Sequence, residues 1–240
     1  MSSRLEQATS KEKIEPLRIK DKKLLQDVSD GGKDKGVEEQ YELERRYLPA
    51  RFLSQEKLSQ YQTLDIEQAY ISALNKKGEE RTFRLRRTWN KKDGIMLRVA
   101  RKRKVAGYPR ARNESQKAFS EDAPEAKEFK QLWAQKKWEP LRKRRYYIPL
   151  KLPNGGKAEI HYDVHPFYPL EGLVRIEIEF ESAEDEMYVL EHPKVLPNWI
   201  GEDVTENGHY GGKALAKDGM PPSAGKLMRE LRGKTKSGAR

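Results

Sequence analysis

Apolar and polar side chains alternate along much of this chain, which is the pattern of β-strands with one buried face. The clearest case is residues 173–180, where apolar side chains occupy every second position: Val174, Ile176, Ile178 and Phe180. Similar alternation predicts further strands at residues 41–48, 64–73, 81–88, 95–105, 113–119, 143–152 and 158–164. The turn sequences at 75–78 and 153–156 favour hairpins. Regularly spaced antiparallel strands of this kind indicate a meander or a barrel.

Helices are predicted between some of these strands. Ser54, Ser120 and Ser182 are suited to be N-caps, because a serine hydroxyl accepts a hydrogen bond from a free backbone N–H of the first turn. These caps predict a short helix after Ser54, one from Ser120 to about Lys137, and one from Ser182 to Leu190. Two further helices are predicted at residues 209–217 and 224–231.

The composition divides the chain into three parts. Residues 1–36 contain no aromatic residue and hold nine Lys/Arg against seven Asp/Glu, which predicts a flexible, charged tail that is in part helical. Residues 37–220 contain the predicted strands and are expected to form one domain. Residues 221–240 are expected to form a basic tail, since positions 223–240 hold six Lys/Arg and one Glu. Such tails can contact nucleic acid or polyphosphate.

The composition also excludes several classes of site. Of the 240 residues, 35% are hydrophobic and 36% are charged, and the net charge of +11 favours a polyanionic partner. The absence of cysteine excludes disulfides, thiolate metal sites and cysteine nucleophiles. No apolar run has the length of a signal peptide or a membrane span. We therefore expect a soluble, cytoplasmic protein without a membrane partner, and its oligomeric state stays open.

The two signs of charge are separated along the chain. Residues 81–117 hold fourteen Lys/Arg and two Asp/Glu, whereas residues 158–206 hold two Lys/Arg and thirteen Asp/Glu. A nucleic-acid binder usually presents its basic residues on one outer surface. If both halves of this chain join one sheet, a cationic wall would instead face an anionic wall.

The predicted strand at residues 41–48 places three charges on one face, namely those of Glu42, Glu44 and Arg46. Adjacent carboxylates repel each other and raise each other's pKa. A divalent cation removes that conflict, because hard oxygen ligands suit Mg²⁺ or Mn²⁺. The alternative for this stretch alone is a surface strand with a solvated face.

Other predicted strands carry charges on their non-apolar faces as well. The cations among them are Arg46, Arg84, Arg86, Lys102 or Lys104, Arg112, Lys143 and Arg145. The carboxylates among them are Glu42, Glu44, Asp163, Glu177 and Glu179. Such charges inside a closed barrel would be destabilising unless water, metal and a polyanion occupied the interior. A chain of phosphates bound by Arg and Lys and bridged to carboxylates by metal meets that condition.

These motifs occur in an order that resembles the CYTH, or triphosphate tunnel metalloenzyme, superfamily over residues 37–220. The motifs are Glu42-x-Glu44-x-Arg46, Arg84-x-Arg86, Lys143-Arg144-Arg145-Tyr146, Ile160 to Asp163, Glu177-x-Glu179, and Trp199 to Thr205 with Tyr210 and Leu215. The resemblance implies an α+β fold, an eight-stranded antiparallel β-barrel (tunnel) with flanking helices, which binds triphosphate and Mg²⁺ or Mn²⁺. The signatures look closest to those of bacterial inorganic triphosphatases.

The resemblance also implies roles for individual residues. The metal would be held by carboxylates: Glu42, Glu44, Asp163, Glu177 and Glu179. The substrate would be bound by cations: Arg46, Arg84, Arg86, Lys102, Lys104, Arg112 and Arg145. Lys143 and Tyr70 would be catalytic, handling protons, although Tyr70 also fits a packed barrel tyrosine. The chain departs from the family in having Arg46 where a lysine is usual and a longer spacing from Glu159 to Asp163, and it leaves open which of Lys102 and Lys104 faces the tunnel.

Three functions are compatible with these patterns. The first is hydrolysis of inorganic tripolyphosphate to pyrophosphate and phosphate. The second is a nucleoside or thiamine triphosphate enzyme, including adenylate cyclase, which would need a base-recognition pocket that the sequence does not reveal. The third is a non-catalytic module that binds polyphosphate or RNA.

The remaining motifs have simpler interpretations. The four histidines, His161, His165, His192 and His209, lack zinc-site spacing, which favours loop or surface positions. The segment 211–214 lacks the spacing of a P-loop. About half of the basic run 101–104 is expected to be a solvated patch, because alternate residues of a strand face opposite sides.

Overall fold

The computed structural model describes residues 16–29, 36–90, 92, 94–106 and 108–237. Its strands are β1 (Val37–Pro49), β2 (Gln62–Leu74), β3 (Glu80–Asn90), β4 (Gly94–Val105), β5 (Tyr108–Ser120), β6 (Leu141–Lys151), β7 (Lys157–Val164), β8 (Val174–Phe180) and β9 (Ile200–Asp203). Its α-helices are α1 (Lys23–Ser29), α2 (Gln55–Leu58), α3 (Glu125–Ala134), α4 (Ala183–Glu191), α5 (Gly212–Asp218) and α6 (Pro222–Ser237). Short 3-10 turns lie at Ile19–Asp21, Pro193–Val195 and Gly208–Tyr210.

Eight of the strands close into an antiparallel barrel. The strand order is β5-β4-β3-β2-β6-β7-β8-β1-β9, and a further pairing joins β5 to β1. This pairing closes the ring of eight strands, while β9 adds to the end of β1. Closure leaves no free edge around the ring. The predicted eight-stranded barrel with flanking helices is therefore confirmed.

The barrel carries its polar side chains inside and its apolar side chains outside. On β7, for example, Ile160 and Tyr162 face outward and belong to an apolar cluster, whereas His161 and Glu159 line an internal cavity. Because strand side chains alternate, each strand supplies both a charged inner face and an apolar outer face. The hydrophobic stabilisation of the fold therefore comes from helices packed on the outside of the barrel.

Two apolar layers cover opposite parts of the outer wall. One lies over β1, β6, β7 and β8 and includes Val189 of α4 together with Met228 and Leu231 of α6. The other lies over β2 to β5 and includes Leu24 and Leu25 of α1 with residues of α3. None of the helices in the described ranges is long and apolar enough to cross a membrane.

Parts of both predicted tails belong to the folded body. Leu24, Leu25 and Val28 of α1 are fully buried against the barrel, so this part of the expected flexible tail is an ordered helix. Their spacing places all three on one helix face, which explains the packing. At the other end, the helix predicted at 224–231 is present but longer, and it packs on β8 through Met228. Residues 1–15 and 30–35 of the predicted tail lie outside the described residues.

Two of the three predicted serine caps are confirmed. Ser54 Oγ accepts a hydrogen bond from Lys57 N, and Ser182 Oγ accepts one from Asp185 N. Ser120 is not a cap, because β5 continues through it and α3 begins only at Glu125. The strand pairing of β5 with β4 takes up the backbone of Ser120 that a helix would need.

One end of the barrel is filled by apolar side chains. Three leucines, Leu48, Leu141 and Leu173, point inward, because each is two residues away from an inward-facing charged residue in the sequence. They pack with Tyr210 and with Leu215 of α5, which crosses this end. The inner face therefore changes from charged to apolar along the barrel axis, which encloses the charged part at this end.

Candidate functional site

A cavity of about 420 Å³ runs inside the barrel and is lined by charges of both signs. Its cations are Arg46, Arg84, Arg86, Arg98, Lys102, Lys143, Arg145, Arg175 and Lys213. Its carboxylates are Glu42, Glu44, Glu159, Glu177 and Glu179. The described lining therefore has an excess of positive charge. The structure thus brings together most of the residues that the sequence singled out.

The carboxylate wall is built by the adjacent strands β1 and β8. Their register places Glu44 opposite Glu179 and Arg46 opposite Glu177. Arg46 forms a close ion pair with Glu44, and its Nε lies 3.9 Å from Glu177 Oε1. Two Glu-x-Glu strands from distant parts of the sequence thus form one continuous surface, as the sequence predicted for a barrel.

Lys102 neutralises part of that wall. Its Nζ is in close contact with Glu42 and lies 3.7 Å from carboxylate oxygens of both Glu44 and Glu114. Burial raises the pKa of Glu42 to about 7, and the nearby Glu114 acts in the same direction while Lys102 opposes it. Glu44 is also buried, yet Lys102 and Arg46 lower its pKa to about 2. Glu42 therefore exchanges a proton near neutral pH, whereas Glu44 stays ionised.

Two arginines on the opposite wall have no carboxylate partner among the described residues. Arg84 forms a close ion pair with Glu114, but no ion pair to Arg86 or Arg98 occurs within the described part of the chain. Arg86 donates to Gln68 Oε1 at 3.1 Å, and the register places it directly opposite Arg98. Burial and the neighbouring Arg84 and Arg145 lower the pKa of Arg86 to about 9. Like charges that face each other across two strands repel, and a bound anion would offset this repulsion. This wall therefore favours the binding of an anion.

Asp163 is fully buried and is surrounded by three cations that line the cavity. Its carboxylate accepts hydrogen bonds from Lys143 Nζ at 2.5 Å, Arg145 Nε at 2.7 Å and Arg175 Nη2 at 3.2 Å. Burial opposes ionisation of this carboxyl, but Arg145 and Lys143 hold its pKa well below its usual range. In this structure the carboxylate is occupied by cations and orients them, and its predicted role as a metal ligand stays a prediction.

Lys143 differs from Arg145 in the direction in which the site shifts its pKa. Burial and the adjacent Arg145 lower the pKa of Lys143 to about 7, although Asp163 opposes the shift. Its ammonium group can therefore lose a proton near neutral pH. The predicted partnership with Tyr70 takes another form here, since Lys143 donates to Asp163 and Tyr70 Oη accepts from Gln68 Nε2 at 2.6 Å.

Two histidines are buried: His161 lies on β7, which corrects the expectation of a loop or surface position, whereas His165 lies in the loop after β7, as expected, but is not at the surface. His161 lies between Glu159 and Glu179, with ring nitrogens 2.7 Å and 3.2 Å from their carboxylate oxygens. His165 is 1% exposed, and burial together with Arg175 lowers its pKa to about 3. His161 on β7 and His165 just after it share the inward parity of Asp163, so strand alternation was a signal from which their inward direction could have been predicted.

Tyr70 and α5 meet at the enclosed end of the cavity. Tyr70 lines the cavity with Gly211, Gly212 and Lys213. A Cβ atom at Gly212 would lie 2.4 Å from Tyr70 Oη and 3.0 Å from Gln68 Nε2. Only glycine therefore allows α5 to approach the tyrosine this closely. Burial raises the pKa of Tyr70, so its hydroxyl keeps its proton.

The structure resolves which lysine of β4 faces the cavity. Lys102 contacts the carboxylate wall, whereas Lys104 lies outside the cavity lining. Arg112 pairs in register with Lys104 and Glu42, and it also lies outside the lining, with Nη1 donating to Ala111 O at 2.8 Å. Lys104 and its partner Arg112 lie next to a register shift at the end of β4.

Sequence reasoning missed several cavity residues. Arg98 was recognisable because it shares the inward face of β4 with Lys102, and Glu114, which pairs with the cavity residue Arg84, shares that of β5 with Gln116. Arg175 was recognisable in the same way, since it precedes Glu177 by two positions. Gln68 carried no signal, because a glutamine on a strand face is ordinary at a protein surface.

The carboxylates offer donors of the type that Mg²⁺ and Mn²⁺ prefer. Within the described residues, no three His, Cys, Asp or Glu side chains already form a metal-binding group. Glu42 and Glu44 both line the cavity, and Lys102 now occupies a position between their carboxylate oxygens. Mg²⁺ is usually bound by one or two carboxylates together with substrate phosphates and water. Glu42 and Glu44 therefore fit such a metal, with the substrate completing its ligands.

Comparison with known proteins adds little to this geometry. No protein-family model matches the chain, and no curated protein matches it. Among solved structures, the chain is similar to the crystal structure of the inorganic triphosphatase NE1496, at 24% identity over 75% of this chain and 96% of that chain, with a TM-score of 0.42. A similarity of this size does not establish function, so the functional assignment rests on the geometry of the tunnel.

Proposed function

We propose that this protein hydrolyses a triphosphate inside the charged tunnel with the help of Mg²⁺ or Mn²⁺, and that its substrate is inorganic tripolyphosphate. The observation that carries the proposal is the facing pair Arg86 and Arg98, two cavity cations without a carboxylate partner in the described chain. An anion with several charges would relieve their repulsion, and planar guanidinium groups match phosphate oxygens in two-point contacts.

The cavity residues divide into two groups with different tasks. Arg84, Arg86, Arg98 and Arg145 would bind the phosphate oxygens and neutralise their charge. Asp163 would hold Arg145, Lys143 and Arg175 in place through the hydrogen bonds described above. Hydrolysis of a phosphoanhydride depends mostly on such positioning and on electrostatic stabilisation.

The carboxylate wall would hold the metal. Glu42 and Glu44 would be its ligands, with Glu177 and Glu179 on the neighbouring strand near enough to assist or to orient water. When bound, the metal supplies positive charge and polarises the phosphate oxygens. Lys102 now contacts the carboxylates of Glu42 and Glu44, which would be the metal ligands. With metal bound there, the lysine would be released and could turn toward the phosphates.

Two further residues would handle protons. Lys143, with a pKa of about 7, can hold or release a proton at Nζ within the working pH range. Tyr70, whose hydroxyl stays protonated, would donate a hydrogen bond to a phosphate oxygen at the enclosed end. The enclosed end also limits bulk water, which strengthens each of these interactions.

Phosphate release from tripolyphosphate and from ATP, with and without Mg²⁺ or Mn²⁺, tests the proposal. We expect release from tripolyphosphate only when metal is present. Faster release from ATP would indicate a nucleoside triphosphate enzyme. Binding of tripolyphosphate without any turnover would indicate a binding module and would overturn the proposed hydrolysis.

The variant Glu44→Ala tests the metal site. We expect metal-dependent turnover to fall about 100-fold or more, because one of the two main ligands is lost. The matched control is Glu202→Ala on β9, which removes the same charge from an exposed position. Thermal unfolding of both variants checks that they fold. Full activity of Glu44→Ala would refute the site.

A further inference from the structure

A second group of cations lies on the outer wall of the barrel. It surrounds a cleft of about 350 Å³ between the segment 19–29, the turn joining β2 to β3, and β4. The basic cleft, as we call it, is lined by Ile19, Lys20, Gln26, Ser29, Asn75, Lys76, Lys77, Arg81 and Arg101. The cleft includes Arg101 of the basic run 101–104, whereas Lys102 of the same run lines the tunnel.

The described residues that line the basic cleft include five cations and no carboxylate. Arg81 is paired with Glu79, which stands outside the lining, and both are exposed. Elsewhere on this outer wall the cations have close partners. Arg103 Nη2 lies 2.8 Å from Glu39 Oε1, and Lys117 Nζ lies 2.9 Å from Asp27 Oδ2. The basic cleft therefore differs from the surroundings of Arg103 and Lys117, where a carboxylate lies close to each cation.

Arg101 is the centre of this imbalance. No ion pair to Arg101 occurs in the part of the chain that the structure describes, and its Nη1 donates only a long hydrogen bond of 3.4 Å to Ser29 O. Partial burial and the neighbouring Arg81 and Arg103 lower the pKa of Arg101. Ser29 Oγ, also in the lining, is buried without a hydrogen-bond partner among the described residues. An anion in the cleft would satisfy the guanidinium group.

The lining indicates the class of anion. Phosphate-rich ligands suit several lysines and arginines with amide donors nearby, here Gln26 and Asn75. RNA recognition usually adds aromatic side chains on which bases stack. No aromatic residue occurs in the described lining, whose only large apolar member is Ile19. Recognition would therefore be of phosphoryl groups alone.

The cleft is separate from the tunnel because of strand parity. Arg81 and Arg101 point outward, whereas their neighbours Thr82 and Lys102 line the internal cavity. A ligand in the cleft therefore contacts the outer side of the same wall whose inner side would contact the triphosphate. We propose that the basic cleft is a second binding site for condensed inorganic phosphate, separate from the tunnel.

Calorimetric titration of the full-length protein tests this site. Tripolyphosphate and a long-chain polyphosphate are titrated in the presence of a chelator, which prevents metal-dependent turnover. The double variant Arg81→Gln/Arg101→Gln is compared with Lys226→Gln/Arg229→Gln, which removes two charges from α6. We expect two tripolyphosphate sites in the wild type and in the control, and one in the cleft variant.

Long-chain polyphosphate should bind the cleft variant about tenfold more weakly, as expected for two lost ion contacts, and the control almost as tightly as the wild type. Thermal unfolding and phosphate release from tripolyphosphate show whether the cleft variant keeps its fold and its tunnel. This binding test does not depend on turnover, so it stands if the proposed hydrolysis fails. Equal stoichiometry in wild type and cleft variant, an equal loss in the control, or tighter binding of single-stranded RNA would overturn the proposal.

Discussion

Arg86 and Arg98 show how single side chains can serve binding at the expense of stability. The two guanidinium groups occupy directly opposed positions on β3 and β4, and the described chain gives neither a carboxylate partner. Arg84, only two positions from Arg86, is by contrast closely paired with Glu114. Removing one member of a satisfied pair leaves a buried charge, whereas removing one of two repelling charges relieves strain.

The variant Arg86→Gln should therefore stabilise the free protein by about 0.5–1 kcal/mol while raising the KM for tripolyphosphate about tenfold or more. Chemical denaturation and steady-state kinetics measure the two effects. Arg84→Gln is the matched control, and it should destabilise the protein because Glu114 loses its partner. Lower stability of Arg86→Gln would contradict the role assigned to the unpaired arginines.

His165 makes a different residue-scale prediction, because its two ring nitrogens are buried without a hydrogen-bond partner among the described residues. Its pKa is about 3 in the folded protein and near 6.5 in the unfolded chain. The unfolded chain therefore binds the extra proton below pH 6.5, and stability is lost as the pH falls from about 7 toward 3. The charged groups of Arg175, Lys143 and Asp163 also face this ring. A variant of His165 itself is therefore needed to measure the part of the pH dependence of stability that belongs to this histidine.

The unfolding free energy of the wild type falls when the pH is lowered from 7.5 to 5. We expect this loss to be smaller by about 2 kcal/mol in His165→Leu, because the histidine contributes about 1.4 kcal/mol for each pH unit below 6.5. Denaturation curves at both pH values measure it. His209→Leu, at an exposed position, should leave the decrease unchanged. An unchanged pH dependence in His165→Leu would show that the ring is not buried in its neutral form.

At the scale of elements, α5 acts as the inner boundary of the tunnel. Its first residues line the cavity, and Leu215 fixes the helix in the apolar cluster at the enclosed end. Gly212 of α5 lies directly against Tyr70, a side chain of the cavity, so the position of the helix limits where this side chain can lie. Helix placement and the orientation of Tyr70 are therefore coupled.

The variant Gly212→Ala should lower kcat/KM for tripolyphosphate about tenfold, because the added methyl group must displace the Tyr70 hydroxyl or the helix. Gly208→Ala is the matched control, since a Cβ atom there meets nothing within 4 Å. Steady-state kinetics and thermal unfolding separate a local effect from unfolding. Equal activity of the two variants would contradict the coupling.

At the scale of the whole molecule, the apolar core lies outside the barrel and the charges lie within. Apolar clusters under α1, α3, α4 and α6 provide the hydrophobic stabilisation. The interior is tolerated because most of its carboxylates are paired with cations, although positive charge remains in excess in the described lining. An anionic ligand should therefore stabilise the entire fold.

In the variant Arg81→Gln/Arg101→Gln, which keeps only the tunnel site, tripolyphosphate at 100 times its dissociation constant should raise the unfolding free energy by about 2.7 kcal/mol, because the tunnel exists only in the folded state. Thermal unfolding at increasing ligand concentration measures the shift. Arg86→Gln should need a higher concentration for the same shift. An equal shift with a neutral polyol would mean that the effect is not electrostatic binding.

The sequence by itself determined the strands and the faces that carry charge. Alternation is a local property, so the charges of Glu42, Glu44, Arg84, Arg86 and Glu177 can be assigned to one side of their strands from the order of residues alone. Their combination also pointed to a barrel and to a phosphate-rich ligand. The helix caps at Ser54 and Ser182 were equally local.

Only the tertiary structure decided which charges meet. Barrel closure and register select Lys102 over Lys104, place Asp163 behind three cations, and leave Arg86 and Arg98 without an ion pair in the described chain. The burial of α1 and the late start of α3 likewise depend on contacts with distant strands. The physical reason is that the pairing and pKa of an ionisable group depend on the charges and burial around it in space, which residues far apart in the sequence supply.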